Sequence, residues 1–115
     1  MEIIIPIKPI SINEAFQGRR FKTKKCKDFE ESFLKVAPRK DMMKGLIEIQ
    51  YHFYVKNHKQ ADYDNLIKIT QDLLKKCGYI EDDRKIYKAT IYKIPSENEY
   101  IVLKINNLTE NHPML

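Results

Sequence analysis

The sequence predicts an α+β fold: a single small domain in which about four strands form one mixed sheet, with two main helices packed on it. Three observations predict this class. Two segments place apolar residues at helical spacing, and several others show the apolar runs or the alternation typical of strands. The chain has 115 residues, which is the size of one domain. These patterns leave the order of the strands open.

The predicted strands carry apolar side chains and are bounded by turn residues. They are the segments 3–7, 46–55, 86–94 and 100–105. Pro6 places the first strand at a sheet edge or ends it, because proline cannot donate a ladder hydrogen bond. In the second strand, Ile47, Ile49 and the later odd positions alternate with more polar even positions, which indicates one buried face. The residues 95–98 are typical of a hairpin-like turn between the last two strands.

The first main helix is predicted over residues 24–37. Thr23 is a typical N-cap residue, and Pro38 prevents the helix from continuing. Apolar residues recur on one face of this segment, namely Cys26, Phe29, Phe33 and Val36. The preceding segment 11–17 has no such pattern, so we expect a loop there.

The second main helix is predicted to end at Cys77, because Gly78 suits the C′ position. Asp64 is its expected N-cap. Its apolar stripe is made of Leu66, Ile67, Leu73, Leu74 and Cys77, with Thr70 among them and Ile69 at the edge. After the last strand, residues 106–115 are expected to form a loose polar tail.

The charge of the chain is unevenly distributed. Lys and Arg number 21 against 16 Asp and Glu, a net charge of +5, which suggests a polyanionic partner. Residues 8–40 hold ten basic and four acidic residues, whereas residues 61–83 hold three basic and six acidic residues. This division fits phosphates gripped by one part and a metal held by the other. Basic runs are also common as solvated surface, which accounts for some of these lysines in any case.

Several classes of protein are not expected from this sequence. Cys26 and Cys77 are isolated, and the three histidines have no ligand spacing with them, so a zinc site is not predicted. Free thiols suit a reducing cytoplasm. The N-terminus has no basic segment and its apolar run is broken at Pro6, so a signal peptide is not expected. No apolar stretch approaches the length that spans a membrane.

An acidic cluster surrounds the start and the end of the second helix. Its members are Asp62, Asp64, Lys68, Asp72, Asp82 and Asp83. Asp64, Lys68 and Asp72 are four residues apart, so they share one helix face. If the chain is extended before the helix, Asp62 and Asp64 point the same way. Carboxylates held together repel one another unless a cation or protons neutralise them, and hard oxygen ligands suit Mg²⁺, Mn²⁺ or Ca²⁺.

A calcium-binding EF-hand loop does not fit this cluster. Counting from Asp62, Ile67 stands where glycine is needed and Leu73 where glutamate is needed. The cluster still fits a metal ion that keeps its waters and binds a phosphate. Such a metal can activate water for attack at phosphorus. Lys68 could offset charge in that transition state. The structural alternative is that Asp64 only caps the helix and that 81–83 is a solvated turn.

The segment 19–27 holds six Lys and Arg residues in nine positions. These are the expected DNA-binding residues, since basic side chains grip phosphates: Arg19, Arg20, Lys22, Lys24 and Lys25. Phe16 and Phe21 lie nearby. Both phenylalanines are expected to pack in the core, with stacking on exposed bases as the alternative.

The acidic motif resembles that of a known family. The pattern Asp62-x-Asp64-Asn65-Leu66-x-Lys68, then Asp72-x-Leu74, then Gly78-x-Ile80-x-Asp82-Asp83 is similar to the signature of the RusA-type Holliday junction resolvases. The resemblance implies an endonuclease domain over residues 1–105. It is weaker at the N-terminus, where the segment 9–13 departs from the family's Pro-Pro-Ser-Asn-Asn-like motif and leaves Asn13 without an assigned role.

The resemblance also implies a chemistry. It implies a homodimer that uses Mg²⁺, with Mn²⁺ as a substitute, to cut a four-way DNA junction in the cytoplasm of a bacterial cell, encoded by the cell, a phage or a prophage. The catalytic residues it implies are Asp62, Asp64, Lys68 and Asp83, and the metal ligands are Asp62, Asp64, Asp82 and Asp83. No membrane or small-molecule cofactor is expected.

Two functions from different classes follow from these observations. The first is a metal-dependent endonuclease that resolves Holliday junctions in DNA recombination and repair, or one that cuts other branched DNA such as flaps or forks. The second is a nucleic-acid-binding module without catalysis, in which the acidic residues only cap helices. They differ in whether Mg²⁺ converts a bound junction into nicked product.

Overall fold

The computed structural model describes residues 1–18, 21–59 and 62–108. The elements in chain order are β1 (Glu2–Ile5), α1 (Ile12–Ala15), β2 (Phe16–Gln17), β3 (Phe21–Lys22), α2 (Lys24–Val36), β4 (Ile47–Val55), α3 (Tyr63–Lys76), a 3₁₀ turn (Asp83–Lys85), β5 (Ile86–Pro95) and β6 (Tyr100–Asn107). The four longer strands form one mixed sheet, and β2 pairs with β3 in a small second sheet. The predicted α+β class is therefore confirmed.

The order of the strands in the main sheet is β1-β6-β4-β5. Strand β4 pairs in parallel with β5, and α3 is the connection between them. Strand β6 is antiparallel to both β4 and β1. The hairpin-like turn predicted at 95–98 is therefore wrong as a hairpin, because β4 lies between the two strands that it joins. Local turn residues do not determine pairing; the long ladder of β5 with β4 does.

The alternation predicted in β4 is confirmed. Its odd-numbered residues are buried, and its even-numbered residues are only partly so. The even-numbered side, with its neighbours in β5, β6 and β1, is called here the outer face of the sheet. On it, the rings of His52 and Tyr92 stack at 4.6 Å and those of Tyr54 and Tyr100 stack at 4.2 Å between centroids. Tyr51 instead points into the core, where it is fully buried.

Helix α2 begins as predicted, because the Thr23 hydroxyl accepts a hydrogen bond from the Cys26 N–H at 3.1 Å. Cys26, Phe29 and Phe33 are buried against the core. The prediction for Val36 is wrong, since this last residue of the helix is exposed. The segment 11–17, expected to be a loop, contains α1 and β2, and the Ser11 hydroxyl caps α1.

Helix α3 begins two residues earlier than predicted. Asp62, not Asp64, holds the N-cap position, and its side chain makes no capping hydrogen bond. Its buried residues are Leu66, Ile69, Thr70, Leu73 and Leu74. Ile69 therefore belongs to the centre of the stripe rather than its edge, because spacings of three and four residues place these five on one face.

The end of α3 is as predicted. Gly78 has a φ of 76°, a left-handed conformation that glycine adopts without strain. The Gly78 N–H donates to the Lys75 carbonyl and the Tyr79 N–H to the Leu74 carbonyl, each at 3.0 Å, which is a Schellman motif. This turn directs the chain into the segment that carries Asp82 and Asp83.

The last strand is two residues longer than predicted. Asn106 and Asn107, expected in the tail, pair with β4 in the sheet. The remainder of the predicted tail from residue 109 onward lies outside the described residues. No helix in the described part of the chain is both long and apolar enough to cross a lipid bilayer.

Candidate functional site

Two carboxylates stand at the N-terminal end of α3. Asp62 occupies the N-cap position and Asp64 lies in the first turn, and both are exposed. Within the described residues, neither carboxylate forms a hydrogen bond or an ion pair. The helix dipole favours negative charge at this end. Both side chains are therefore available to a ligand.

The same face of α3 continues with Lys68 and Asp72. The Lys68 ammonium lies 3.4 Å from the Asp72 carboxylate, and both side chains are partly exposed, by 59% and 39%. An exposed pair of this kind contributes at most about 1 kcal/mol of stability. Lys68 can therefore leave Asp72 for a phosphate at small cost.

Asp82 is held at the other end of α3. Its carboxylate accepts a hydrogen bond from the Arg84 N–H at 3.0 Å, which caps the 3₁₀ turn, and it contacts the Lys75 ammonium at 3.3 Å. The Arg84 N–H, followed by Lys75, lowers the pKa of Asp82 to about 2. Asp82 is therefore ionised at neutral pH and already engaged by protein groups.

Asp83 follows directly but is not engaged in the same way. Its carboxylate makes no hydrogen bond or ion pair within the described residues. It lies close enough to Tyr51 that its charge, after burial as the larger cause, helps to raise the pKa of that phenol. The Tyr51 hydroxyl donates to the Gln71 amide oxygen at 2.9 Å. Asp83 therefore lies in the 3₁₀ turn that follows α3, with a carboxylate that the described residues leave available.

The predicted metal ligands are thus divided between two places along α3. Asp62 and Asp64 lie at its first turn, whereas Asp82 and Asp83 follow its end, where Asp82 is paired with Lys75 of the last turn. The 11 residues from Asp64 to Lys75 span about 16 Å of helix axis. No group of three His, Cys, Asp or Glu residues close enough to hold one metal ion occurs in the described ranges.

A cavity of about 230 Å³ adjoins Asp62. It lies where α1 and the residues before it meet the start of α3. Its polar lining includes three side-chain amides that the sequence left without a function: Asn13, Asn57 and Asn65. The only sequence signals were that Asn65 belongs to the acidic motif and that Asn13 follows Pro9 and Ser11 in the weaker N-terminal motif.

The basic segment forms part of the surface beside α2. Lys22 pairs with Glu30 at 2.9 Å, Lys24 with Asp28 at 3.0 Å and Lys25 with Glu14 at 3.1 Å. Exposed pairs exchange readily for phosphate contacts because they contribute little. Arg19 and Arg20 lie outside the described residues.

The two phenylalanines of this segment differ. Phe16 packs against the core as expected, but the prediction for Phe21 is wrong, since it is 73% exposed. The short β2–β3 pairing explains the difference. Phe16 lies opposite Lys22 and Gln17 opposite Phe21, and successive side chains of a strand point to opposite sides. Phe21 therefore points away from the core that Phe16 touches.

The comparisons with known proteins agree with the acidic motif. The model of a family described as Endodeoxyribonuclease RusA matches residues 6–106, most of the 115-residue chain. No curated protein sequence matches the chain. The family supports nuclease activity and implies resolution of Holliday junctions. The chain belongs to the RusA endodeoxyribonuclease family.

Proposed function

We propose that the protein is a Mg²⁺-dependent, structure-selective endonuclease that resolves four-way DNA junctions by paired symmetric nicks. The observation that carries the proposal is that two carboxylates at the start of α3, those of Asp62 and Asp64, have no hydrogen-bonding or ion-pairing partner among the described residues. They stand in a chain with a net charge of +5 that belongs to a nuclease family. Repulsion between them is relieved by a cation, and the surrounding positive charge favours DNA.

The donor chemistry of Asp62 and Asp64 fits Mg²⁺. This ion prefers oxygen ligands, keeps several waters, and is usually held by one or two carboxylates together with phosphates. Two acids that the described residues leave without partners are therefore enough to hold it against a DNA backbone. Such an ion, with Mn²⁺ as a substitute, supplies an activated water and neutralises charge at phosphorus.

Lys68 is proposed as the catalytic lysine. It lies one turn after Asp64 on the same face of α3, and its contact with Asp72 is long and exposed. A scissile phosphate held at the helix start gains negative charge as water attacks. A positioned ammonium stabilises that charge. Asp72 holds Lys68 on this face before DNA arrives.

Asp83 is proposed as the third catalytic acid, because its carboxylate has no hydrogen-bonding partner in the described part of the chain. It joins Asp62 and Asp64 through a movement of the 3₁₀ turn or through a second copy of the chain. The Asp82 carboxylate already accepts a hydrogen bond from the Arg84 N–H and pairs with Lys75. Asp82 is therefore proposed to keep the 3₁₀ turn folded rather than to bind metal directly.

The DNA backbone is proposed to lie on the basic segment that leads into α2 and includes its first turn. Its contributing residues are Arg19, Arg20, Lys22, Lys24 and Lys25. Replacing Arg19 and Arg20 by alanine should weaken binding to any DNA and reduce the slope of log affinity against log salt by about 2, since each phosphate contact releases counterions. An unchanged slope would place these arginines away from the backbone.

The active species is proposed to be a homodimer. A four-way junction has approximate two-fold symmetry, and each chain offers one carboxylate pair, so two copies supply two equivalent sites. The outer face of the sheet supports this proposal, because among the described residues its stacked ring of Tyr92 is 42% exposed and Ile4 on β1 is 55% exposed. Tyr54 contributes to this face, whereas Tyr51 is buried inside the chain.

Light scattering at micromolar concentration tests the dimer. Replacing Tyr54 by glutamate should produce monomers, because a charge would have to be buried between the copies. A mixed dimer with one Asp64→Asn subunit should nick one strand only. A chain that stays monomeric on DNA, or a mixed dimer that makes both nicks at the normal rate, would contradict the proposal.

The function itself is tested by a cleavage assay. A four-way junction, a flap, a fork and a matched linear duplex are incubated with the protein in Mg²⁺ or in EDTA. We expect paired nicks in the junction with Mg²⁺, bound but intact junction in EDTA, and an intact duplex. If the protein cuts the flap or the fork in preference to the junction, that branched DNA is its substrate instead. Binding without cleavage in either Mg²⁺ or Mn²⁺ would identify a binding module instead.

A further inference from the structure

The cavity beside Asp62 has a lining made largely of polar residues. Asn13, Asn57 and Asn65 line it, and none of their side-chain amides forms a hydrogen bond within the described residues. Asn13 and Asn57 are exposed, and Asn65 is half-buried. Each amide offers both a donor and an acceptor. The cavity therefore presents hydrogen-bonding groups that are free for a ligand.

The charged groups of the lining exclude a phosphate as the best occupant. They are three carboxylates, of Glu14, Asp62 and Glu99, and one ammonium, of Lys8. Lys8 lies 3.9 Å from Glu99, so its charge is already shared. Burial opposes ionisation of Glu14, but Lys25 and Ser11 together hold its pKa below the ordinary value. An excess of acceptors favours a ligand that donates hydrogen bonds and is not an anion.

The remaining walls are apolar. They are formed by Pro9, Val55 and Leu66. Apolar walls combined with a few polar groups suit an aromatic ring. Side-chain amides pair with the N6 and N7 edge of adenine, and carboxylates accept from the N4 amino group of cytosine. The lining thus has the chemistry that recognises a base bearing an exocyclic amino group.

We propose that this cavity accepts a nucleobase next to the scissile phosphate and selects bases that carry an exocyclic amino group. The inference rests on the proposed nuclease function, because Asp62 is both a wall of the cavity and a member of the carboxylate pair. A base leaves its stack most easily where pairing is already interrupted, as at a branch point. The cavity then adds a sequence preference to the recognition of DNA shape.

The experiment begins by mapping the cleavage positions of the wild-type protein on a four-way junction in Mg²⁺. Junctions are then made in which a base flanking the cut is adenine or purine, or cytosine or 2-pyrimidinone, so that each pair differs only by the amino group. Affinities are measured without divalent metal by fluorescence anisotropy. We expect the amino-bearing base to bind about 5- to 100-fold more tightly.

The double variant Asn13→Ala with Asn57→Ala should lose most of this discrimination while keeping the salt dependence of binding, since no charge is removed. Both residues are exposed, so folding is expected and is checked by circular dichroism. Asn106→Ala is the matched control. This asparagine is exposed and lies opposite Glu48, at the far end of β4 from Val55, and its replacement should leave discrimination unchanged.

Three results would overturn the inference. The wild-type protein could bind both members of each pair equally, or the double variant could keep full discrimination. The third result would be that Lys8→Ala reduces the slope of log affinity against log salt while the protein binds both bases of each pair equally. That result would identify the cavity as a phosphate site. If cleavage in Mg²⁺ is observed in any of these cases, the nuclease function stands and only the base-reading cavity fails.

Discussion

The two ends of α3 treat their carboxylates differently. At the N-terminal end, Asp62 and Asp64 are exposed and have no hydrogen-bonding or ion-pairing partner within the described residues. Further along, Asp72 contacts Lys68. Asp82 pairs with Lys75 and accepts a hydrogen bond from the Arg84 N–H. Sequence spacing alone had joined all of these acids into one cluster. The structure separates them into acids that are already neutralised and acids that are not.

This difference indicates which acids serve the fold and which serve a ligand. A carboxylate that caps a turn or pairs with lysine stabilises the fold, and this offsets part of the free-energy cost of its desolvation and of its repulsion by other acids. A carboxylate without such a partner gives the fold nothing, and a second one beside it adds repulsion. The N-terminal pair is therefore where a divalent cation has the most to gain.

The largest expected effect is that of Asp64→Asn. It removes one of the two carboxylates at the start of α3, and cleavage of a four-way junction in Mg²⁺ should fall more than about 100-fold, since even loss of a group that only hydrogen-bonds to a metal ligand costs about 10- to 100-fold. Binding of the junction should be retained or become tighter, because less negative charge faces the phosphates. Cleavage assays and anisotropy measure the two quantities separately.

The control for this change is Asp72→Asn on the same helix face. It also removes one carboxylate, but one that is paired with Lys68, so most of the cleavage activity should remain. If Asp62→Asn and Asp64→Asn each cut normally, or if Asp72→Asn were as inactive as they are, the distinction between free and paired acids would be wrong.

A smaller loss is expected for Lys68→Ala. Without the ammonium, charge at the transition state is stabilised less, and the cleavage rate should fall about 10- to 100-fold while junction affinity changes little. Lys68→Arg keeps the charge in a different shape and should recover part of the rate. Single-turnover kinetics distinguish a slower chemical step from weaker binding. Equal rates for wild type and Lys68→Ala would remove this lysine from the mechanism.

The paired acid Asp82 should affect stability rather than chemistry. Its pKa is lowered to about 2 by the Arg84 N–H and Lys75, so its ionised form stabilises the fold. That stabilisation is present above the ordinary pKa of 3.8 and is lost as pH falls toward 2. Asp82→Asn should therefore lower Tm at pH 7 but not at pH 2. Thermal melts across this range measure it, and a constant difference would contradict the pairing.

The smallest expected effect concerns Tyr79, which follows α3 and donates to the Pro38 carbonyl at 2.6 Å. Tyr79→Phe should cost about 1 kcal/mol of unfolding free energy at pH 7. Burial, more than Cys77, raises the pKa of Tyr79 to about 12, so the protonated phenol stabilises the fold. The advantage over phenylalanine should shrink as pH rises from 10 to 12, and denaturant melts at both ends of that range would detect it.

Local patterns predicted the elements of this fold well. Thr23 and Gly78 act as caps through contacts with residues near them in sequence, and alternation in β4 follows from a single buried face. Such patterns could not predict that β5 pairs with β4 rather than with β6, because this pairing depends on hydrogen bonds between segments that are distant in the sequence. The exposure of Phe21 likewise depends on which side of a two-residue strand meets the core.

The candidate site divides in the same way. The spacing of Asp64, Lys68 and Asp72 correctly places them on one helix face, since a regular helix fixes that relation. The N-cap was misassigned by two residues, because Asp62 and Asp64 are equally typical cap residues. The separation of Asp82 from Asp62 follows from the length of α3 between them. The cavity that joins Asn13 to Asp62 depends on tertiary packing, which no spacing in the sequence encodes.

The most direct test of the difference between the two ends of α3 is metal binding in the absence of DNA. Mn²⁺ is titrated into the wild-type protein, Asp64→Asn, Asp72→Asn and Asp82→Asn, and free Mn²⁺ is followed by electron paramagnetic resonance. We predict that wild type, Asp72→Asn and Asp82→Asn bind the ion with similar affinity and that Asp64→Asn loses at least about tenfold. Equal binding by Asp64→Asn, or loss of binding in Asp82→Asn alone, would contradict the account.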